Sequence, residues 1–299
     1  MKQIICYSEH RRLSMRPNFL VIGAMKSATT SLCELLGSHT DIFISKPKEP
    51  EYFCKDELYQ RGWKWYESLF SAAADKTAIG EGSASYTKRI IFPQTAIRIA
   101  RDLPGVKLIY IVRHPLERIE SHWIHSTLSG HITTRFCDTL RQFPGFINTS
   151  LYFHQISAYR EYFPDDRILV LFFEDFKNNP RKVLERCFRF LGVDPTFQLR
   201  DPEKPRNVSG NLVDTKIIRT MRQIPQLYFT KQLLLPGVIR PLKRVFQRRL
   251  KEYPQWDKNT LQWVVDQVAP DAHAFLRCYG KPEDYWKLER PTSPLKLAC

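Results

Sequence analysis

One lysine and four hydroxyl side chains are concentrated in six positions near the start of the chain. They are Lys26, Ser27, Thr29, Thr30 and Ser31, and they follow the apolar residues 19–22 and Gly23. A short apolar run of this kind suits a central strand that is buried on both faces. A strand that turns directly into a helix aims free backbone N–H groups and the positive end of the helix dipole at one point. The cluster therefore predicts an anion site, most often one for phosphate.

Three leucines at helical spacing indicate the helix that follows this cluster, namely Leu32, Leu35 and Leu36. Gly37 is suited to close that helix. The stretch differs from the P-loop pattern G-x-x-x-x-G-K-[ST], because it has no second glycine and Lys26 comes three residues after Gly23 instead of six. We interpret it as a phosphate loop that works without Mg²⁺. The alternative is an ordinary strand-turn-helix with a solvated lysine.

A second cation follows the second strong apolar run. Residues 107–112 predict a strand, which ends at Arg113 before a helix begins. Ligands of open parallel sheets bind beyond the carboxyl ends of the strands, so Arg113 and Lys26 are predicted to lie at the same edge. Ser121 comes two helical turns after Arg113 and would add a hydroxyl to the same anion.

The candidate proton acceptor lies in a loop stiffened by proline. Residues 45–53 contain Pro47 and Pro50, which forbid a regular helix, and Glu49 stands next to Lys48. A carboxylate held by nearby cations stays ionised and can accept a proton from an attacking nucleophile. The alternative is a surface loop with paired charges.

Composition limits the class of protein. The 299 residues are 43% hydrophobic, which is enough for one large α/β domain or two small ones. No apolar run of about eighteen residues occurs, so no membrane span is expected, and residues 1–16 lack the apolar core of a signal peptide and are expected to form a loose arm. Seven scattered cysteines without a C-x-x-C pair favour reduced thiols in a cytoplasm over a disulfide framework or a zinc site. His122 and His125 lack a third metal ligand at the usual spacing.

The formal net charge of +15 favours polyanions, nucleotides or anionic lipid surfaces as partners. Between Asp214 and Glu252 no acidic residue occurs, and basic residues are mixed there with apolar ones. Residues 216–251 therefore predict a docking surface for an anionic membrane or polymer. A solvated helical hairpin packed on the domain is the alternative. The preceding loop, residues 201–210, contains four further anion or amide binders: Lys204, Arg206, Asn207 and Ser209.

Four segments of the chain, in this order, resemble motifs of the sulfotransferase family that uses 3′-phosphoadenosine 5′-phosphosulfate (PAPS). The likeness is greatest to heparan sulfate-type sulfotransferase domains and their bacterial relatives, and it extends from residue 17 to residue 210. The segments are similar to the family's 5′-phosphosulfate loop, its Lys-Glu-x-His-Phe-Phe segment, its 3′-phosphate site and its Tyr-Glu-Asp after a strand. Here they read GAMKSATTSL (residues 23–32), KEPEYF (residues 48–53), Arg113-His114-Pro115 with Arg118 and Ser121, and Phe173-Glu174-Asp175.

The resemblance implies a three-layer, P-loop-like α/β fold with a central parallel sheet flanked by helices. It also implies that Lys26 contacts the bridging oxygen of the leaving phosphate and that Glu49 is the general base. Arg113 and Ser121 would hold the 3′-phosphate. Residues 204–210 would close over the 3′-phosphate and the adenine through Arg206 and Asn207. The 5′-phosphate would be held by backbone amides and hydroxyls of Ser27, Ala28, Thr29, Thr30 and Ser31.

Two departures from the family pattern affect the expected site. The usual Lys-Gly-Arg spelling is absent from residues 204–210, and Glu51 stands where relatives often carry histidine. An additional carboxylate at that position would repel a polyanionic sugar, so the acceptor does not follow from the resemblance.

We therefore predict a PAPS-dependent sulfotransferase with no metal requirement, acting on a hydroxyl or amine of a carbohydrate or glycoconjugate. A glycolipid or another small molecule is also compatible with the sequence. Residues 17–299 are predicted to form one domain, in which residues 211–254 are a basic helical insertion or a substrate- or membrane-facing subregion. We expect a cytoplasmic location, peripheral membrane contact through residues 216–251 and no nucleic acid partner. The alternatives are a P-loop-like nucleotide kinase or NTPase, and a non-enzymatic basic module that binds nucleic acid or anionic membrane.

Overall fold

A five-stranded parallel sheet forms the centre of the computed structural model, which describes residues 15–199, 212–214, 247–249 and 252–289. The order of the strands across the sheet is β2-β3-β1-β4-β5, and every neighbouring pair is parallel. β1 is therefore central, between β3 and β4. The strands are β1 (Phe19–Gly23), β2 (Ile42–Ile44), β3 (Ala78–Glu81), β4 (Lys107–Val112) and β5 (Ile168–Phe172).

Helices connect these strands and follow the last of them. Three short 3₁₀ turns are also present, at Ala84–Thr87, Asp165–Arg167 and Glu283–Tyr285. The helices are α1 (Thr29–Leu36), α2 (Asp56–Tyr59), α3 (Gly62–Ser68), α4 (Thr95–Asp102), α5 (Pro115–Leu128), α6 (Phe136–Gln142), α7 (Gly145–Asn148), α8 (Tyr152–Arg160), α9 (Phe173–Asn178), α10 (Pro180–Leu191) and α11 (Lys258–Cys278).

The sheet separates two apolar cores, because successive side chains of a strand point to opposite faces. Leu20 and Ile22 of β1 belong to the core shared with α5, α8 and α11, whereas Phe19 and Val21 belong to the core shared with α1 and α10. All five residues of β1 are buried, as expected for a central strand covered on both sides. The predicted three-layer α/β fold is confirmed.

β1 ends at a position where the chain has room only for glycine. A Cβ atom on Gly23 would lie 2.0 Å from Oγ1 of Thr87, and the residue has a φ of +154°. The phosphate loop can therefore approach the turn after β3 closely, which brings residues from two strand ends together.

Two short strands lie within residues 211–254, the region predicted to be a basic helical insertion. β6 (Leu212–Asp214) pairs antiparallel with β7 (Gln247–Arg249), and β6 lies beside α5. These two segments are extended instead of helical because each satisfies the backbone hydrogen-bonding groups of the other. Apart from these strands and residues 252–254, the region lies outside the described residues, and the single-domain boundaries stay a prediction.

The predicted N-terminal arm is described only at its end. Nε of Arg16 donates to Oε1 of Glu67 at 2.9 Å, and its guanidinium lies 4.1 Å from the ring centroid of Trp63. Residues 1–14 lie outside the described part of the chain. Within the described part, no helix combines the length and apolar character needed to cross a bilayer.

Candidate active site

The predicted phosphate loop connects β1 to α1, and its backbone leaves the start of α1 without a side-chain cap. Lys26 and Ala28 have left-handed backbone conformations, with φ values of 70° and 68°. α1 begins at Thr29, and its N-cap residue is Ala28, which has no side chain that could cap the helix. Because the first N–H groups of a helix have no intrahelical partner, this geometry suits a phosphate.

Lys26 lies within a cluster of positive charge that includes Arg113. Burial and, to a smaller extent, repulsion by Arg113 and Arg118 lower the pKa of the Lys26 ammonium to about 8, and the charge of Glu49 opposes this shift. β1 and β4 are adjacent and parallel, with Phe19 opposite Lys107. The structure thus places Lys26 and Arg113 at one edge of the sheet, where the sequence predicts them. Glu49 is close enough to this edge for its negative charge to act on Lys26.

Lys48 also belongs to this cluster, although its place in the sequence shows it only as a neighbour of Glu49. Its Nζ lies 3.4 Å from Oγ1 of Thr29 and 3.4 Å from Oγ1 of Thr30, at the start of α1. The same Nζ forms an ion pair of 2.6 Å with Oε1 of Glu49. Lys48 therefore links the phosphate loop to the predicted base. The only sequence signal for this role is its place directly before Glu49.

Glu49 remains accessible, whereas Glu51 is engaged by neighbouring groups. The side chain of Glu49 is 40% exposed. Oε1 of Glu51 accepts a hydrogen bond of 2.7 Å from Oγ of Ser85, and Oε2 forms an ion pair with Lys55. Burial raises the pKa of Glu51, but the hydrogen bonds from Lys55 and Ser85 outweigh it, so that the net shift is downward.

The charge of Glu51 is thus offset within the protein. The expectation that this carboxylate repels an acidic sugar does not include Lys55, which is four residues further along the chain, or Ser85, which is distant in sequence. A carboxylate with both oxygens engaged is also poorly placed to take a proton from an acceptor. The structure therefore favours Glu49 over Glu51 as the candidate base.

Arg113 is held in a fixed orientation. Its Nη2 and Nε donate to Oε2 of Glu117 at 2.7 and 3.1 Å, and its guanidinium lies 4.7 Å from the ring centroid of Phe173. The Tyr152 hydroxyl donates to the Arg113 carbonyl at 2.7 Å. Ser121 lies on α5 and is partly buried, and its contact with a 3′-phosphate stays a prediction. Arg206 and Asn207, the other predicted contacts, lie outside the described residues.

Glu174 and Asp175 of the fourth motif do not belong to the cationic cluster, but they hold neighbouring segments of the chain in place. Oε1 of Glu174 accepts a hydrogen bond of 2.7 Å from the backbone N–H of His114, which fixes the turn after Arg113. Asp175 forms an ion pair of 2.9 Å with Lys281 and accepts a hydrogen bond from the Tyr285 hydroxyl. The motif therefore joins the ends of β4 and β5 to the segment after α11.

A fully buried guanidinium adds positive potential beneath the site. Arg118 is 0% exposed, and its Nε donates to Oγ of Ser150 at 2.6 Å while Nη2 donates to the Phe146 carbonyl. Burial lowers the pKa of Arg118 to about 10. Its charge lowers the pKa of Lys26 and, together with burial, that of His122. The residue occurs in the third motif, but the sequence alone does not show that it is buried.

His122 and His125 are both neutral near pH 7. Burial, followed by nearby cations, lowers the pKa of His122 to about 2 and that of His125 to about 4. Among the residues that the structure describes, no group of three or more His, Cys, Asp or Glu side chains is arranged to hold a metal ion. The two histidines therefore line the region as uncharged hydrogen-bonding groups.

Comparison with known proteins identifies the family. Residues 16–229 match the family described as "Sulfotransferase domain". This chain belongs to the sulfotransferase family. The match covers the phosphate loop, the Glu49 loop and Arg113, so the predicted family and enzyme class are confirmed.

Two of the relatives of this sulfotransferase are larger enzymes. The bifunctional heparan sulfate N-deacetylase/N-sulfotransferase 3 of Mus musculus is 26% identical over 212 residues, covering 64% of this chain and 24% of the relative. The bifunctional heparan sulfate N-deacetylase/N-sulfotransferase 1 of Xenopus laevis is 25% identical over 280 residues, covering 87% of this chain and 29% of the relative. The chain thus spans well under half the length of these relatives.

A solved sulfotransferase from Alicyclobacillus acidocaldarius has the same fold. The two structures superpose with a TM-score of 0.66 at 22% sequence identity, covering 91% of this chain and 99% of the other. This likeness supports the arrangement of the central sheet and its flanking helices.

Proposed function

We propose that this sulfotransferase moves the sulfuryl group of PAPS to a hydroxyl or amine of a carbohydrate or glycoconjugate. The observation that carries the proposal is the convergence of Lys26 and Arg113 at the carboxyl ends of two adjacent strands, with the charge of Glu49 acting on Lys26. Two cations at neighbouring strand ends suit a nucleotide with phosphates at two positions, and a nearby carboxylate suits proton removal from an acceptor.

The residues on the donor side fit a bisphosphorylated nucleotide. The uncapped start of α1, together with Lys26 and Lys48, forms one anion site, and Arg113, already oriented by Glu117, forms the other. PAPS supplies the activated sulfuryl group when it is bound. Hydrogen-bond donors and positive charges that are already in place can hold a nucleotide without a rearrangement of the protein.

Each residue of the cluster has a defined task in this proposal. Glu49 takes the proton of the attacking hydroxyl or amine, and its ion pair with Lys48 holds the carboxylate in position. Lys26 stabilises the negative charge that develops on the leaving phosphate. Lys48 contacts both Glu49 and the Thr29 hydroxyl, and it thereby orients Glu49 relative to the phosphate loop.

The acceptor class rests on the relatives and on charge. Two relatives are named for heparan sulfate, and the net charge of +15 favours acidic ligands. Peripheral contact with an anionic membrane through residues 216–251 remains a separate proposal, since most of that segment lies outside the described residues.

A transfer assay with radiolabelled PAPS tests the function directly. Glycans, phenols and lipids are screened as acceptors in the presence of EDTA, and we expect label to appear in glycans. ATP turnover that stops with EDTA, in the absence of sulfuryl transfer, would establish a kinase or NTPase instead. Salt-sensitive binding to DNA or anionic vesicles without transfer would establish a binding module.

The affinity for adenosine 3′,5′-bisphosphate (PAP), the product of the donor, should fall as the pH rises from 7 to 9. Only the protonated form of Lys26 attracts the phosphate, and its pKa in the free protein is about 8, so the attraction is complete below that pH and is lost above it. The expected loss at pH 9 is up to about tenfold. Calorimetry at both pH values measures it, and Lys26→Met should show a flatter pH dependence. An unchanged affinity of the wild-type protein at pH 9 would contradict the assignment.

A further inference from the structure

Lys88 is a half-buried lysine that has no part in binding either phosphate of the proposed donor. Among the described residues it forms no hydrogen bond and no ion pair within 4 Å through this group, and burial lowers its pKa. Partial burial of an ammonium group without a partner costs free energy. Lysines perturbed in this way occur preferentially at functional sites.

Lys88 belongs to the same wall of the site as Glu49. It directly follows the turn Ala84–Thr87 after β3, and two serines tie that turn to the loop with the base. Oγ of Ser83 accepts a hydrogen bond of 2.9 Å from the backbone N–H of Glu51, and Oγ of Ser85 donates to the Glu51 carboxylate at 2.7 Å. These hydrogen bonds join residues 49–55 to residues 83–88, and the two joined segments are here called the acceptor wall.

The electrostatic neighbours of Lys88 place it beside the reaction centre. The charge of Glu49 acts on both Lys26 and Lys88. Lys26 and Lys88 in turn both lower the pKa values of His122 and His125, which lie on α5. Lys88 and Lys26 therefore both lie within electrostatic range of Glu49 and of the two histidines on α5.

The two nearby carboxylates whose charges act on Lys88 are each already paired with another lysine. Glu51 is already paired with Lys55, and Glu49 is paired with Lys48. Arg118 adds positive potential, and the two histidines are neutral near pH 7. An acceptor that places its nucleophile at Glu49 consequently meets positive charge a short distance away.

We propose that Lys88 binds an anionic group of the acceptor, and that the acceptor is an acidic saccharide with a carboxylate or sulfate near the attacking hydroxyl or amine. This inference rests on the proposed function and assigns its acceptor specificity to a named side chain. An ammonium that pairs with a carboxylate or sulfate forms a charge-assisted hydrogen bond, which contributes more to affinity than a bond between neutral groups.

Calorimetry with three matched octasaccharides tests the proposal without requiring turnover. The full chain is first saturated with PAP. It is then titrated with alternating glucuronic acid and N-acetylglucosamine, with its carboxyl-reduced neutral form, and with that neutral form after O-sulfation. We expect at least one anionic form to bind about ten- to hundredfold more tightly than the neutral form. The preferred form shows whether a carboxylate or a sulfate is recognised.

Variants of Lys88 decide whether this side chain causes the preference. Lys88→Met and Lys88→Gln should bind all three octasaccharides about equally, and Lys88→Arg should keep the preference. Arg89→Met is the control, because it removes the same charge from the adjacent residue, which is engaged with Glu161 at 3.3 Å. Equal binding of the three octasaccharides by the wild-type protein, no binding of any, or a preference retained in both neutral variants would overturn the proposal. Failure of PAP itself to bind would instead count against the proposed function.

Discussion

Replacement of Lys26 by methionine should lower the rate of sulfuryl transfer about 10²- to 10³-fold. Lys26 lies at the end of β1 within a cationic cluster and is the side chain proposed to stabilise charge on the leaving phosphate. Methionine keeps much of the side-chain volume and removes the charge. Single-turnover transfer from radiolabelled PAPS, with acceptor in excess, measures the chemical step without product release.

Lys46→Met is the matched control for this experiment. Lys46 is an exposed lysine in the segment between β2 and Glu49, so its replacement changes the net charge equally. The control should transfer at close to the wild-type rate. A Lys26→Met protein that retains its rate within about threefold would remove Lys26 from the mechanism, since a loss that small is well under 1 kcal/mol of transition-state stabilisation.

Replacement of Glu49 by glutamine should lower kcat about 10²- to 10⁴-fold, which is the usual contribution of a positioned general base. The amide cannot accept a proton, and it weakens the attraction to Lys48, which lies 2.6 Å from the carboxylate. The binding of PAP should change much less than kcat, because the Glu49 carboxylate supplies no hydrogen-bond donor or positive charge to either proposed phosphate site. Steady-state transfer assays and PAP calorimetry on the same preparation separate the two effects.

Glu51→Gln distinguishes the role of Glu49 from a general need for negative charge in this loop. Its carboxylate is engaged by Ser85 and Lys55, and the amide oxygen of glutamine can still accept from Ser85. We expect Glu51→Gln to keep kcat within about tenfold of the wild-type value. If Glu51→Gln loses more activity than Glu49→Gln, the base has been assigned to the wrong carboxylate.

The sheet and the convergence of the two cations follow from local sequence, because both depend on chain direction. Apolar runs predict β1, β4 and β5, and parallel strands place Lys26 and Arg113 at one edge. β2 is harder to predict, since a strand of three residues (Ile42–Ile44) is too short to show a period. Strand order, by contrast, requires tertiary contacts and is known only from the structure.

The electrostatic balance of the site could not be predicted, because it depends on residues that are distant in sequence. Ser85 contacts Glu51 across 34 positions, and Nζ of Lys48 reaches Thr29 across 19. The burial of Arg118 depends on its packing against residues that include Ser150 and Phe146. Spacing within a motif shows which residue types are present, but it does not show how far a side chain reaches or which charge is left unpaired.

Calorimetry with PAP and adenosine 5′-monophosphate tests most directly the central claim that the two strand ends hold a nucleotide by two phosphates. The ligands differ only in the 3′-phosphate, which is proposed to bind Arg113. The wild-type protein should bind PAP about ten- to hundredfold more tightly, as expected for a charged contact, and Arg113→Met should abolish this preference. Equal affinity of the wild-type protein for the two nucleotides, or no heat with PAP, would contradict the account.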